Sequence, residues 1–131
     1  MVTATADWGA YDGWCGEREV TTAPEARALC DEIEEHKPPT RMLVGFTTDS
    51  GHFFVGLGAA DSCAMFWESA DPPYFQSKGT HAVEERIDFA YGGQETELPG
   101  TVRISRESAF AGLEEFIETG RRPACIEWEE T

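Results

Sequence analysis

With 131 residues, 40% of them hydrophobic and 11% aromatic, the chain can bury one domain-sized core, which excludes wholesale disorder. Ten Lys and Arg stand against 25 Asp and Glu, a net charge of −15, so the basic footprint needed to hold nucleic-acid phosphates or an anionic membrane surface is missing. The same negative field favours a basic protein partner, and it serves plain solubility equally well.

Met1 to Trp8 hold neither a basic n-region nor an apolar h-region, and no apolar run reaches the ~20 residues that span a bilayer. The expected compartment is the cytoplasm. There, widely spaced Cys15, Cys30, Cys63 and Cys125 read as free, mostly buried thiols rather than a disulfide frame.

In chain order, Gly16 to Val20 offers a first strand. Thr22-Ala23-Pro24-Glu25 is a helix start: a Thr N-cap, a Glu three residues on to complete a capping box, and a Pro in the first turn. Ala26, Leu29, Cys30 and Ile33 then form one apolar stripe, flanked by Asp31, Glu32, Glu34 and Glu35, and Lys37-Pro38-Pro39 stops the helix. Arg41–Thr48, the turn Asp49-Ser50-Gly51 and His52–Leu57 predict a hairpin. Ser62–Trp67 reads as the next strand, Asp71-Pro72-Pro73 as a loop, Tyr74-Phe75 as an extended piece, and Ile87–Tyr91 as a half-buried strand broken by Gly92-Gly93. Ser105 caps a second helix from about Arg106 to Thr119 with Gly120 as its left-handed stop. Its buried face is Ala109, Phe110, Leu113, Phe116 and Ile117. Ala124–Trp128 is read as a last strand. The expected fold is a single α+β domain over residues 1–131, a mostly antiparallel β-sheet with two α-helices packed on it.

Catalytic and cofactor motifs are weak. Gly56-Leu57-Gly58-Ala59-Ala60-Asp61 resembles part of a dinucleotide glycine pattern, but it leads into another strand-like run instead of a helix, so it reads as a glycine-rich sheet turn. His36, His52 and His81 have no second His or Cys at ligand spacing, and no Ser or Cys signature marks a nucleophile. Catalytic residues, metal ligands and cofactors are therefore expected to be none. Phe66-Trp67-Glu68 and Asp71-Pro72-Pro73-Tyr74-Phe75 set aromatics beside acids, as interface anchors require, although Phe66 and Phe75 individually suit the core better. Gln94–Glu97 and Glu127–Glu130 add acidic edges that serve equally as solvated faces.

Tyr91-Gly92-Gly93, Glu97-Leu98-Pro99, the helix Ser105–Glu118, Phe116-Ile117-Glu118-Thr119-Gly120-Arg121-Arg122-Pro123 and Ile126-Glu127-Trp128 together resemble the first-numbered immunity protein family of bacterial polymorphic toxin systems. Phe53–Gly58 before Asp61-Ser62 is similar to the family's Gly-Leu-Gly hairpin, and Thr22–Ile33 to its first helix, so the resemblance spans about residues 20 to 130. The resemblance implies a cytoplasmic antitoxin whose partner is a secreted toxin, most often a zinc-dependent nucleic-acid deaminase and sometimes a nuclease, with any zinc belonging to the toxin. Such a toxin must hold a polyanion in a basic groove, which a −15 partner suits. Toxin contacts are expected from the loops around 49–52, 66–75 and 94–97, at Asp49, His52, Trp67, Glu68, Asp71, Tyr74, Gln94, Glu95 and Glu97. An acidic nucleic-acid mimic binding other basic proteins, or a small hydrolase, is the alternative.

Overall fold

Two consecutive phenylalanines, Phe53 and Phe54, cannot share one side of a strand, so the sheet that carries them needs cover on both faces. The computed structural model describes residues 3–35, 41–58, 62–63, 65–69, 73–79, 82 and 84–130. Its elements, in order, are β1 (Ala4–Gly9), β2 (Cys15–Val20), α1 (Ala23–Glu34), β3 (Met42–Thr48), β4 (Gly51–Leu57), β5 (Ser62–Cys63), β6 (Met65–Glu68) and β7 (Phe75–Ser77). There follow β8 (Ile87–Tyr91), β9 (Gln94–Leu98), a 3-10 turn (Gly100–Val102), β10 (Ile104–Ser105), α2 (Arg106–Thr119) and β11 (Trp128–Glu130). The main sheet runs β11-β7-β6-β4-β3-β1-β2 with antiparallel neighbours. The β8–β9 hairpin joins it through one parallel pairing, Met42 with Ala90, and β5 pairs with β10 separately. The α+β expectation holds: two helices and a mostly antiparallel sheet.

Alternation along β3 and β4 sorts the two sides. Met42, Val44, Phe46, Phe53, Val55 and Leu57 are buried together with Leu29 and Ile33 of α1 and Leu113, Phe116 and Ile117 of α2. Phe53 stacks on Phe116 at 4.9 Å between centroids, and Trp67 meets the same ring edge-on at 5.8 Å, so Phe116 is the point where helix and sheet interlock. On the other side, Leu43 packs with Ile87, Phe89 and Val102 in a smaller cluster, with Phe66, Tyr91 and Leu98 against it. Gly56 permits this second layer, since a Cβ there would lie 2.6 Å from the Phe89 ring. The β8–β9 hairpin therefore lies over the helix-free side.

Both helix caps form as the sequence predicts. The Thr22 hydroxyl accepts from the Glu25 amide and the Glu25 carboxylate accepts from the Thr22 amide. Ser105 accepts from the Ser108 amide, and Gly120 closes α2 at φ 71°. Arginines bind the helices to their surroundings: Arg18 to Glu32 (2.8 Å), Arg27 to Glu114 (3.7 Å), and Arg106 to Asp31 and Glu34. Two hairpin tips also meet, where the Gly93 amide donates to the Gly9 carbonyl (3.3 Å) and a Cβ on Gly9 would sit 3.0 Å from the Gly92 Cα.

Several expectations change. β1 was not anticipated, because its buried side chains are only Ala4 and Ala6. Gln94–Leu98 is a strand, since Gly92 (φ 59°) and Gly93 (φ 80°) turn the chain back as a tight hairpin instead of ending the sheet. The last strand is Trp128–Glu130, not 124–128. The Glu115 carboxylate accepts from the Ala124 amide and the Trp128 indole donates to the Pro123 carbonyl (2.8 Å), holding that stretch in a turn. Cys30 is buried, but Cys15 and Cys125 are exposed. The Lys37-Pro38-Pro39 stop, His36, His81 and Ala59–Asp61 lie outside the described residues. Among the described residues, no helix is long and apolar enough to cross a membrane.

Phe116→Ala should cost about 3–5 kcal/mol, because it empties the space between Phe53 and Trp67. Thr22→Ala should cost about 1 kcal/mol. Urea midpoints at unchanged m-value test both, and a Phe116 variant as stable as wild type would deny that residue its place in the interlock.

Candidate functional site

The helix-free side of β3, β4 and β6 carries the residues opposite the core: His52, Phe54, Phe66 and Glu68, with Asp7 from β1. Gly45 makes room among them, since a Cβ there would meet the Asp7 carboxylate at 2.7 Å and the Phe54 ring at 3.0 Å. Two depressions result. One, of about 270 Å³, is apolar and lined by Leu43, Phe54, Phe66, Tyr91, Thr96 and Leu98, with Glu68, Tyr74 and Phe75 at its margin. The other, of about 390 Å³, is lined by Thr48, Asp49, Gly51, His52, Glu68, Ser69 and Tyr74.

Neither depression contains a Lys or Arg, and among the described residues neither Asp49 nor Glu68 has an ion-pair partner. Arginines engage acids along the helices, whereas these two carboxylates stay un-neutralised. The turn that carries Asp49 is held rigidly. Thr48 and Ser50 hydroxyls bond at 2.9 Å, Ser50 donates to the Gly120 carbonyl at the end of α2, and Gly51 lies so close to β6 that a Cβ would be 2.6 Å from the Glu68 carbonyl oxygen. His52 is fixed by Thr47 (Nδ1 to Oγ1, 2.9 Å), and its ring stacks towards Phe54, which meets Tyr91 edge-on at 5.5 Å. The Tyr91 hydroxyl donates to Asp7 at 3.2 Å. Burial first, then the Asp7 carboxylate and more distantly Glu68, hold its phenol at about 12.

Of the residues singled out from sequence, Asp49, His52, Glu68 and Tyr74 meet around one depression. Trp67 is corrected: it is 7% exposed and packed on Phe116, because its parity on β6 is opposite to that of Glu68, so it is no surface anchor. Glu95 and Glu97 are exposed on the outer side of β9, while Thr96 between them faces the apolar depression. Gln94 is exposed at the start of the strand. Asp71 lies outside the described residues. Sequence reasoning missed Asp7, Phe54, Tyr91, Thr96 and Leu98, although the doubled Phe53-Phe54 already required apolar surroundings on both faces.

Asp88, Glu95 and Glu97 bring carboxylate oxygens within 4.8 Å of one another on that outer side, a spacing able to hold a cation. Glu95 and Glu97 lie open to solvent, Asp88 is half-buried, and Arg86 already donates to Glu97 at 2.5 Å. The concave face sets aromatic surface beside acids that have no Lys or Arg in the linings of the depressions, an arrangement suited to recognition.

The folded state favours the neutral Tyr91 phenol, so that contribution is fully present below pH 10.0 and is lost as pH rises towards about 12. Stability should fall across that window, and Tyr91→Phe should flatten the fall in urea titrations. Asp7→Asn should lower the phenol's titration midpoint without restoring it to 10.0, since burial persists.

No curated protein matches the chain in sequence. The family model for Immunity protein Imm1 matches residues 16–130, nearly the whole length, and the chain belongs to that immunity protein family.

Proposed function

We propose that this immunity protein is a stoichiometric inhibitor and no catalyst, and that it meets its toxin through the helix-free concave face. The observation that carries the reading is the pair of depressions that hold Asp49 and Glu68 with no Lys or Arg in their linings, set among Phe54, Phe66, Tyr74 and Tyr91. Aromatic anchors with a charged surround are what tight protein interfaces use. The cognate toxin is a nucleic-acid-modifying enzyme, a zinc-dependent deaminase in the first instance and a nuclease in the second. Its active site must draw a polyanion into a basic groove. A body of net charge −15 speeds encounter with that groove, and once seated it excludes the substrate sterically. Inhibition takes place in the cytoplasm, before the toxin reaches its nucleic acid.

Protection by occlusion requires tight binding. The expected affinity is nanomolar or better, on the order of −12 kcal/mol. The test is to purify the chain with the toxin encoded beside its gene and follow binding by stopped flow at rising salt. Association should slow steeply while dissociation changes little. Asp49→Lys and Glu68→Lys should each weaken binding by at least ~10-fold and lower protection of cells. A salt-independent association rate, or charge reversals that bind like wild type, would remove this face from the mechanism, and turnover of a substrate by the chain alone would overturn the non-catalytic reading.

A further inference from the structure

The two depressions differ in chemistry yet share a wall, since Glu68 and Tyr74 line both. Building on the proposed toxin-binding face, we infer that together they form a two-pronged receptor for one large apolar side chain and one lysine or arginine beside it on the partner's surface. The apolar depression, at about 270 Å³, lies below the ~300–1,000 Å³ that accommodate drug-sized ligands. Its size suits a single leucine, phenylalanine or tyrosine side chain rather than a helix or a cofactor. Leu43, Phe54, Phe66 and Leu98 give it apolar walls, and Glu68 belongs to its lining.

Glu68 makes the two prongs depend on each other. An apolar side chain seated against the shared wall strips water from the Glu68 carboxylate, which is costly unless a cation takes the water's place. The depression next door supplies the position: Asp49 and Glu68 both border it, the surrounding side chains are Thr48, His52, Ser69 and Tyr74, and none is a Lys or Arg. A partner offering an apolar anchor with an acid beside it is therefore rejected, and one offering a cation without the anchor gains only a screened surface attraction. A second copy of this chain is a poor occupant, because two bodies of −15 repel.

The direct test uses the full isotopically labelled chain and three synthetic peptides of equal length. The first pairs Lys with a nearby Phe, the second replaces that Lys with Glu, and the third replaces that Phe with Ser. The Lys–Phe peptide should move the NMR signals of Leu43, Phe54, Phe66, Glu68 and Leu98, and should bind at least ~10-fold more tightly than either control. Equal binding of the Glu–Phe peptide, shifts confined to α1 and α2, or no shift at millimolar peptide would each overturn the receptor. So would concentration-dependent self-association that moves these same signals. The second arm uses the adjacent toxin. Thr96→Trp, which fills the apolar prong from an exposed strand, should weaken binding at least ~10-fold. Glu118→Trp, on the helix side, should not. A Thr96→Trp chain that folds and binds like wild type overturns the receptor and leaves the toxin-binding reading standing. A wild-type chain that captures the Lys–Phe peptide but not the toxin does the reverse.

Discussion

Strand β4 has to satisfy two neighbours at once, and the rest of the molecule follows from how it does so. Phe53, Val55 and Leu57 press into the helices, while His52, Phe54 and Gly56 face away. Burying only the first set would leave Phe54 as an exposed ring on an open sheet, an invitation to aggregate. The β8–β9 hairpin covers part of that side by laying Phe89 across Gly56, the residue in the row whose missing side chain admits a ring. The cover is incomplete, and the uncovered remainder is the concave face.

Charge is arranged to match. Many of the acids coat α1 and α2 and the outer side of β9, where Arg18, Arg27, Arg86 and Arg106 engage several of them. Exposed pairs of this kind add little stability individually, about 0–1 kcal/mol. They do tie sheet to helix and helix to helix, and neither depression has a Lys or Arg in its lining. The Tyr91 hydroxyl, whose ring lines the apolar depression, holds the Asp7 carboxylate in place without neutralising it. A negative surface that is shaped and rigid before its partner arrives loses little conformational entropy on binding.

Much of this was legible in the residues. Thr22 and Glu25, Ser105, and Gly120 are local signals whose hydrogen bonds and backbone angles need no tertiary help, and both helices begin and end where those signals stand. The β3–β4 hairpin was equally plain from its apolar runs around Asp49-Ser50-Gly51. β1 was obscure because alanines at its buried positions carry almost no hydrophobic signal. β9 was obscure because Gln, Glu and Thr speak of solvent while the pairing is imposed by Gly92-Gly93 and by β8. Within the candidate site, acids and turn residues were visible as types, so Asp49, His52, Glu68 and Tyr74 emerged. Trp67 does not emerge, because a one-residue difference in strand parity decides which ring sees water, and parity is set by pairing with β4. Phe66, which suits the core better, packs half-buried against the second cluster.

The meeting of Gly9 with Gly92 and Gly93 lies outside the groove, yet it governs the groove's dimensions. Tyr91, one residue before that junction, forms part of the apolar wall, and the hairpin it belongs to is pinned at this tip with backbone against backbone. A side chain introduced at Gly9 would press on the Gly92-Gly93 backbone and shift it by a few tenths of an ångström, leaving every lining residue unchanged. On the binding face proposed above, a change at this one joint would alter the fit of the groove while preserving the chemistry of its lining.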